Sequence, residues 1–454
     1  MFRTVGDQPS LFESVLPQEL LRLPDELARI DALLDDPAFF APFVPYFDPR
    51  IGRPSTPMET YLRLMFLKFR YRLGYESLCR EVSDSITWRR FCRIPLDGSV
   101  PHPTTLMKLT TRCGPAAVDG LNEALLAKAT EAKMLRTNKL RADTTVVPSN
   151  VSYPTDSGLL AKAIRRISAT GKRIQAAGGA TRTTVRDRSR AAGKRAHAIG
   201  FKLRSRSAAG RDEALAAVRR TTFGAGRPGR DRRHRCRTAA DQRETSSAPG
   251  TRHRRPLDLV TATRQIAAQT RQRLAGQTPD GATRRVSLHD PDARPIAKGR
   301  LSKPVEFGHK AQLVEGDDGV IVDHNVERGN PADAPQLAPA VDRIRTRVGR
   351  PPRTVTADRC YGEKAVEDDL HDLGVRNVVI PRKGKPSAGR RAEEHRPAFR
   401  RTIRWHKGVD GRISALKRGY GWDRTRIDST EGAKIWIGHG VLAHNLVKIS
   451  TLAA

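Results

Sequence analysis

The chain has 454 residues, with 83 lysines and arginines against 49 aspartates and glutamates, and a net charge of +34. At roughly 150 residues per domain, this length predicts several domains, each long enough to bury a core. No stretch approaches the roughly 20 apolar residues of a membrane-spanning helix, and the first residues lack the pattern of a signal peptide. These features predict a cytoplasmic protein with no membrane partner. The charge favours a polyanionic partner, above all a nucleic acid.

The first part of the chain has the pattern of helices. Apolar residues recur at helical spacing in the segments Leu20–Leu34, 57–69, 75–82 and 86–92. Thr104 or Thr105 is predicted to cap the next helix. Short helices with several arginines, Arg89 and Arg90 among them, are typical of a helix-turn-helix that reads duplex DNA, although a bundle with solvated arginines fits equally. We predict a helical DNA-binding region at residues 1–135.

From residue 136 onward, β-branched runs alternate with helical patterns, which predicts a mixed α/β sheet. The predicted strands are 140–147, 305–314, 320–326, 353–357 and 376–380. A basic insertion at about 159–280 interrupts this region. Within it, Thr221–Pro256 contains ten arginines and no Leu, Ile, Val or Met, so we predict that it is disordered alone. Three interpretations of this segment remain open: a basic arm that orders on DNA, a plain loop, or sequence translated in a shifted reading frame.

Two aspartates have comparable positions relative to predicted strands. Asp143 lies within strand 140–147, and Asp358 follows the last apolar residue of strand 353–357. Carboxylates on rigid neighbouring strands suit hard divalent cations, which prefer oxygen ligands. Two Mg²⁺ ions about 3.5–4 Å apart can clamp both reacting oxygens of a phosphoryl displacement. Because strand-borne aspartates are also common as turn or cap residues, the pair alone leaves a structural role open.

Three motifs follow one another along the chain: Arg141-Ala-Asp-Thr-Thr145, Ala357-Asp-Arg-Cys-Tyr-Gly362 and Gly411-Arg-Ile-Ser-Ala-Leu-Lys-Arg418. Together they resemble the DDE transposases of bacterial insertion sequences, and the likeness covers nearly the whole chain except Thr221–Pro256. The resemblance implies a ribonuclease-H-like catalytic domain, here at 136–454. The expected fold class is therefore α/β: a ribonuclease-H-like mixed sheet with a helical N-terminal domain and a helical, arginine-rich insertion.

The resemblance also implies three catalytic acids that hold two Mg²⁺ or Mn²⁺ ions. The first two correspond to Asp143 and Asp358. The third is the glutamate of a helical Y-x2-R-x3-E-x6-K signature, and counting back from its closing Lys417 places Asp410 there. Glu431 is the other candidate, but no lysine follows it at the required interval. We therefore expect Asp143, Asp358 and Asp410 to be both the catalytic residues and the metal ligands.

The signature has several departures from the family pattern. Asp410 replaces glutamate, His406 replaces the arginine and Ile403 replaces the tyrosine. An aspartate retracts the carboxylate by about 1 Å, and misplacements of that size can cost about 100-fold in rate. Cys360 replaces a usual glycine in the second motif and is expected to disturb a backbone that needs glycine's freedom. These departures favour, as the alternative function, a catalytically decayed relative that only binds DNA.

The implied reaction has two steps. Water attacks a phosphodiester at the transposon end, and the released 3′-hydroxyl then attacks target DNA. Arg412, Lys417 and Arg418, on the helix behind Asp410, are implied to contact phosphate, although a solvated helix face is the simpler alternative. The resemblance further implies a nucleoid-associated protein that forms a homo-oligomer on terminal inverted repeats and target DNA. A basic RNA-binding structural protein is disfavoured because no aromatic RNA-binding strand motif is present.

Overall fold

The computed structural model describes residues 1–3, 17–179, 184–204, 208–225, 256–298 and 304–453. The chain forms two compact units. The first consists of Met1–Pro148, Lys310–Glu327 and Pro331–Ala454, and the second of Ser149–His309 and Arg328–Asn330. Residues 1–135 therefore share a unit with most of the sheet, and their role as a separate DNA-binding region stays a prediction. Most of Thr221–Pro256, from 226 to 255, lies outside the described residues.

The N-terminal part is helical, as its apolar spacing predicts. Its helices are α1 Gln18–Leu21, α2 Asp25–Leu34, α3 Met58–Arg70, α4 Tyr75–Asp84, α5 Ile86–Phe91 and α6 Pro103–Glu131. The predicted cap of α6 at Thr104 or Thr105 is wrong, because His102 is the cap and accepts a hydrogen bond from the N–H of Thr104 at 3.3 Å. Pro103 occupies the first helical position, where its fixed φ and missing N–H are favourable.

A six-stranded mixed sheet follows. Its strands are β1 Lys139–Pro148, β2 Arg294–Ala297, β3 Val305–Glu315, β4 Ile321–Glu327, β5 Thr354–Ala357 and β6 Asn377–Val379. The order is β2-β3-β1-β5-β6, and β4 also pairs with β3. β1 and β5 are parallel, as are β5 and β6, whereas β3 is antiparallel to β2 and β4. The predicted mixed α/β class is thus confirmed, and β2 is the strand that the sequence did not reveal.

The second unit is built mainly from helices. They are α7 Asp156–Ala176, α8 Ser189–Arg204, α9 Ala208–Ala225 and α10 Pro256–Leu274. Leu159, Leu160 and Ala163 of α7 pack against Ala262 and Ile266 of α10 in a small apolar core. The predicted helical pattern of the insertion therefore folds around its few apolar residues.

The helices of the first unit cover both faces of its sheet. After β4 they are α11 Leu337–Val348, α12 Lys364–Asp372, α13 Ala388–Glu394, α14 Pro397–His406, α15 Gly408–Gly419 and α16 Ser429–Leu452. Leu140 and Ala142 of β1 belong to the main core, whereas Val147 packs with Val409 and Ile413 of α15. Because side chains alternate along a strand, α15 covers the β1 face that carries the odd-numbered residues. Asp143 lies on that face.

Three histidines of this unit have strongly lowered pKa values, two of them in α16. Burial lowers the pKa of His324 to about 4 and the pKa values of His439 and His444 to about 3. Their folded pKa values lie below the ordinary 6.5, so the unfolded chain takes up protons first as the pH falls. Their contribution to stability is therefore complete above pH 6.5 and is lost as the pH falls toward their folded pKa values.

We expect His324→Gln to flatten the acid side of the stability profile. Between pH 6 and 4.5, the slope of the unfolding free energy against pH should decrease by the amount that corresponds to one bound proton, about 1.4 kcal/mol per pH unit. Urea unfolding followed by circular dichroism at several pH values measures this slope. His395→Gln, which changes an exposed histidine of the same unit, should leave it unchanged. Equal slopes in both variants would contradict the assignment.

Candidate active site

The first two predicted acids are neighbours in the sheet. β1 and β5 pair in parallel up to Ala142 and Ala357, which lie opposite each other. The next positions in that register are Asp143 and Asp358, and adjacent strands lie roughly 4.8 Å apart. Both aspartates are partly exposed. Strand pairing therefore brings two carboxylates that are distant in sequence to neighbouring positions, one in the middle of β1 and one just past the end of β5.

Local backbone groups orient both carboxylates. The Thr144 N–H donates to Asp143 Oδ1 at 2.7 Å. The Cys360 N–H donates to Asp358 Oδ1 at 2.9 Å, so Asp358 caps the short 3₁₀-helix Arg359–Tyr361. Two oriented carboxylates on rigid elements are a donor set that suits Mg²⁺ or Mn²⁺.

Cys360 does not disturb the backbone of the second motif. It is not among the described residues with positive φ, so the expectation that this position needs glycine's freedom is wrong. Its side chain is exposed. Partial burial of the sulfur and the charge of Asp358 raise the pKa of the thiol, which keeps it protonated at neutral pH.

Tyr361 forms a neutral support next to the two acids. Its side chain is fully buried, and Gln312 Nε2 donates to its hydroxyl at 3.2 Å. Burial raises the pKa of Tyr361 well above its ordinary value, and the charges of Asp143 and Asp358 raise it further. The phenol therefore stays protonated and adds no negative charge to the site.

The predicted third acid lies on a helix. Asp410 is exposed in the first turn of α15, just after the corner between α14 and α15. His406 ends α14, and its Nε2 donates to the Ala142 carbonyl oxygen at 3.0 Å. Burial lowers the pKa of His406, while that hydrogen bond and the charges of Asp358 and Asp410 oppose the decrease. The residue at the signature's arginine position thus lies within electrostatic reach of two of the acids.

The three predicted acids do not form one ligand set in the described parts of the chain. There, no three His, Cys, Asp or Glu side chains lie close enough together to hold a metal ion. Asp410 holds its carboxylate about 1 Å closer to the backbone than a glutamate would. The assignment of Asp410 as third ligand therefore stays a prediction.

Glu431, the alternative third acid, has different neighbours. It is exposed in the first turn of α16, and its Oε1 lies 3.2 Å from Lys434 Nζ. Burial raises the pKa of Asp119 in α6, and the charge of Glu431 is among those that raise it further. The charge of Glu431 thus acts on a residue of α6, and the choice of Asp410 over Glu431 stays a prediction.

Among the predicted phosphate contacts near the site, Arg412 has an internal partner. Its Nε donates to Oε1 of the fully buried Glu315 at 2.9 Å. Lys417 and Arg418 occupy the last turn of α15, where Arg418 is exposed and Lys417 is partly exposed. Arg412 therefore has a structural role, and phosphate contact by any of the three stays a prediction. Sequence reasoning missed Glu315, although a charge directly after the apolar Leu313 and Val314 was a signal for it.

Arg89 and Arg90, the two arginines of the N-terminal region that are predicted to contact DNA, differ in their surroundings. Arg89 Nη1 donates to the carbonyl oxygens of Pro95 at 3.0 Å and Gly98 at 2.9 Å, so it closes the loop after α5. Arg90 is exposed. Arg89 thus stabilises the loop, and DNA contact by Arg89 and Arg90 stays a prediction.

Comparison with known proteins identifies the family. Residues 16–112 match the family described as "Transposase domain (DUF772)", and residues 280–446 match "Transposase DDE domain". A Rhizobium meliloti protein described as "Uncharacterized protein ORF8 in nfe locus" is 27% identical over 151 residues, which are 31% of this chain and 70% of that protein. No solved structure matches the chain. Both matched families are transposase domains. The chain belongs to the DDE transposases of insertion sequences.

The predicted family is thereby confirmed, and with it a role in DNA transposition and recombination by a mobile element. Asp358 and Asp410 lie within the DDE match, whereas Asp143 lies in the stretch between the two matches. No helix in the described ranges is both long and apolar enough to cross a membrane.

Proposed function

We propose that the chain cleaves DNA strands at the ends of its insertion sequence and transfers the released 3′ ends to target DNA, using divalent metal ions. The observation that carries this proposal is the register that makes Asp143 and Asp358 neighbours on β1 and β5. The strand order supports a ribonuclease-H-like core, since antiparallel β3 and β4 lie on one side of β1 and parallel β5 and β6 on the other.

The residues of the chain have separate roles in this proposal. Asp143 and Asp358 would hold Mg²⁺ or Mn²⁺, and Asp410 would complete the ligand set. When bound, two such ions stabilise the charge on the attacking and leaving oxygens. Protonated Tyr361 supports the acid pair without adding charge, and His406 holds the end of α14 against β1.

DNA is the proposed partner, and α8 of the second unit supports this. The helix has five lysines and arginines and no acid. Arg190, Lys194 and Arg195 are exposed, and a β-carbon at Gly193 or Gly200 would meet nothing within 4 Å. A basic face with small residues allows close approach of a phosphate backbone. We infer that this face binds duplex DNA. We also propose, from the resemblance to the family, that the active form is an oligomer on paired ends.

Removing charge from α8 should weaken DNA binding in a salt-dependent way. Each lost phosphate contact decreases the slope of log K against log salt by about 0.9, so Lys194→Gln with Arg195→Gln should decrease it by about 1.8. Fluorescence anisotropy with a duplex at several salt concentrations measures the slope. Arg350→Gln with Arg376→Gln removes the same charge from exposed positions in the first unit, outside the helical N-terminal region. An equal decrease in both pairs would argue against a specific role of α8.

Strand cleavage tests the catalytic proposal. A labelled duplex that contains the insertion-sequence end is incubated with the protein and Mg²⁺ or Mn²⁺, with EDTA as the control. Metal-dependent nicks with 3′-hydroxyl ends, followed by joined products, are expected. Binding without cleavage under every metal condition would overturn the proposal.

The second candidate function is DNA binding by a catalytically decayed copy. One observation favours it: Asp410 does not join the acid pair in a common ligand set within the described residues. This candidate predicts the same salt-dependent binding and no metal-dependent product. The cleavage assay therefore separates the two candidates.

A further inference from the structure

A fully buried carboxylate lies between two arginines near the acids. Glu315 ends β3 and has no exposed surface. Arg141 Nε donates to its Oε2 at 3.1 Å, and Arg141 Nη2 lies 3.0 Å from its Oε1. Arg412 Nε donates to Oε1 at 2.9 Å. Burying a carboxylate without such partners would cost much free energy. The two guanidinium groups therefore stabilise the charge of Glu315 and are held beside it.

The two arginines belong to the elements that carry the first and third acids. Arg141 precedes Asp143 by two residues on β1, so both side chains point to the same face of the sheet. Arg412 follows Asp410 by two residues on α15. Glu315 thus connects the strand of one acid to the helix of another.

Arg141 also fixes the corner at which α15 begins. Its Nη1 donates to the Trp405 carbonyl oxygen at 2.7 Å, in the last turn of α14. The Trp405 ring lies over the Arg141 guanidinium at 4.7 Å and over Lys139 Nζ at 3.9 Å. A guanidinium at a helix C-terminus is favourable because it meets unpaired carbonyl groups and the negative end of the helix dipole.

Two glycines leave the space that these guanidiniums occupy. A β-carbon at Gly408 would collide with the guanidinium of Arg141. A β-carbon at Gly319 would collide with that of Arg412, and Gly319 also has a φ of +82°, which favours glycine. Gly411, one turn into the same helix as Gly408, has nothing within 4 Å of its β-carbon position.

We propose that Glu315 is a positioning residue for the transposition chemistry. Through Arg141 and Arg412 it sets the separation between Asp143 on its strand and Asp410 on its helix. The inference rests on the proposed function, because the separation matters only if these acids share metal ions. A carboxylate that served stability alone would not set the rate of the reaction.

Activity is tested with a matched pair of variants. Glu315→Gln keeps the shape of the side chain and removes the charge that holds both arginines. Asp323→Asn does the same to another buried acid of this unit, which Arg343 binds through Nε at 2.9 Å and Nη2 at 2.7 Å. Both variants should lower the melting temperature. Glu315→Gln should slow cleavage by about 100-fold, the effect of a displacement near 1 Å, and Asp323→Asn should not slow it.

A spectroscopic readout keeps the inference testable without activity. Fluorotryptophan is incorporated, and the fluorine resonance of Trp405 is assigned with Trp405→Phe. Glu315→Gln and Gly408→Ala should both shift this resonance, because each releases Arg141 from the corner. Gly411→Ala and Asp323→Asn should not shift it.

The outcomes separate the inference from the function on which it rests. If the unmodified chain cleaves no DNA, the proposed function fails while the Trp405 resonance still reports on the corner. An unshifted resonance in Glu315→Gln would overturn the inference. So would a cleavage rate in Glu315→Gln that equals the rate in Asp323→Asn.

Discussion

Asp358→Asn should lower the rate of strand cleavage on the order of 1000-fold and leave DNA binding unchanged. Asparagine has the size of aspartate and also caps helices well, so it can keep the hydrogen bond from the Cys360 N–H. What it loses is the negative charge that would hold a divalent ion. Charge stabilisation by such an ion contributes several kcal/mol, and each 1.4 kcal/mol corresponds to about tenfold in rate.

Single-turnover cleavage of an end-containing duplex measures this effect, and anisotropy measures the affinity. Asp368→Asn, an exposed acid on α12, is the matched control and should change neither quantity. Asp143→Asn should behave as Asp358→Asn does. A cleavage rate in Asp358→Asn equal to that of the control would remove Asp358 from the site.

Asp410→Glu is expected to act in the opposite direction and raise the cleavage rate by about 100-fold. The added methylene extends the carboxylate by about 1 Å from the first turn of α15, and misplacements of that size cost about that factor. The position is exposed, so the longer side chain meets no packing constraint. The same single-turnover assay, with Mn²⁺ as well as Mg²⁺, measures the gain.

Asp410→Asn is the control for this change, because it removes the charge without extending the side chain. It should cleave no faster than the unmodified chain. If Asp410→Glu also fails to cleave faster, the reach of the third acid is not the limit. The next departure to test is then His406, which is held to the Ala142 carbonyl oxygen.

The strands that carry the acids could be predicted because local sequence determines them. β1 and β5 are β-branched runs, and each aspartate has a fixed place in its run. Their direct adjacency follows only from the parallel register, which depends on pairing between distant parts of the chain. The resemblance to known transposases replaced that missing information and placed Asp410 on α15, but it gave no distances.

The partners of the arginines could not be predicted. The sequence pattern around Arg412 is the same whether its side chain faces solvent, phosphate or a buried acid. Only Glu315 distinguishes these cases, and its burial depends on β3, β1 and α15 coming together. The cap of α6 was misplaced for a local reason, since Pro103 moved the start of the helix ahead of both threonines.

The parallel pairing of β1 with β5 has a consequence for the order in which the protein matures. β1 is synthesised before the whole second unit, and β5 after it. A ribosome that stops before β5 therefore releases a polypeptide with the N-terminal helices and the first acid but without its neighbour. Such long-range pairing is slow to form. Incomplete chains accordingly lack the paired acids, so under the proposed function they cannot cleave DNA.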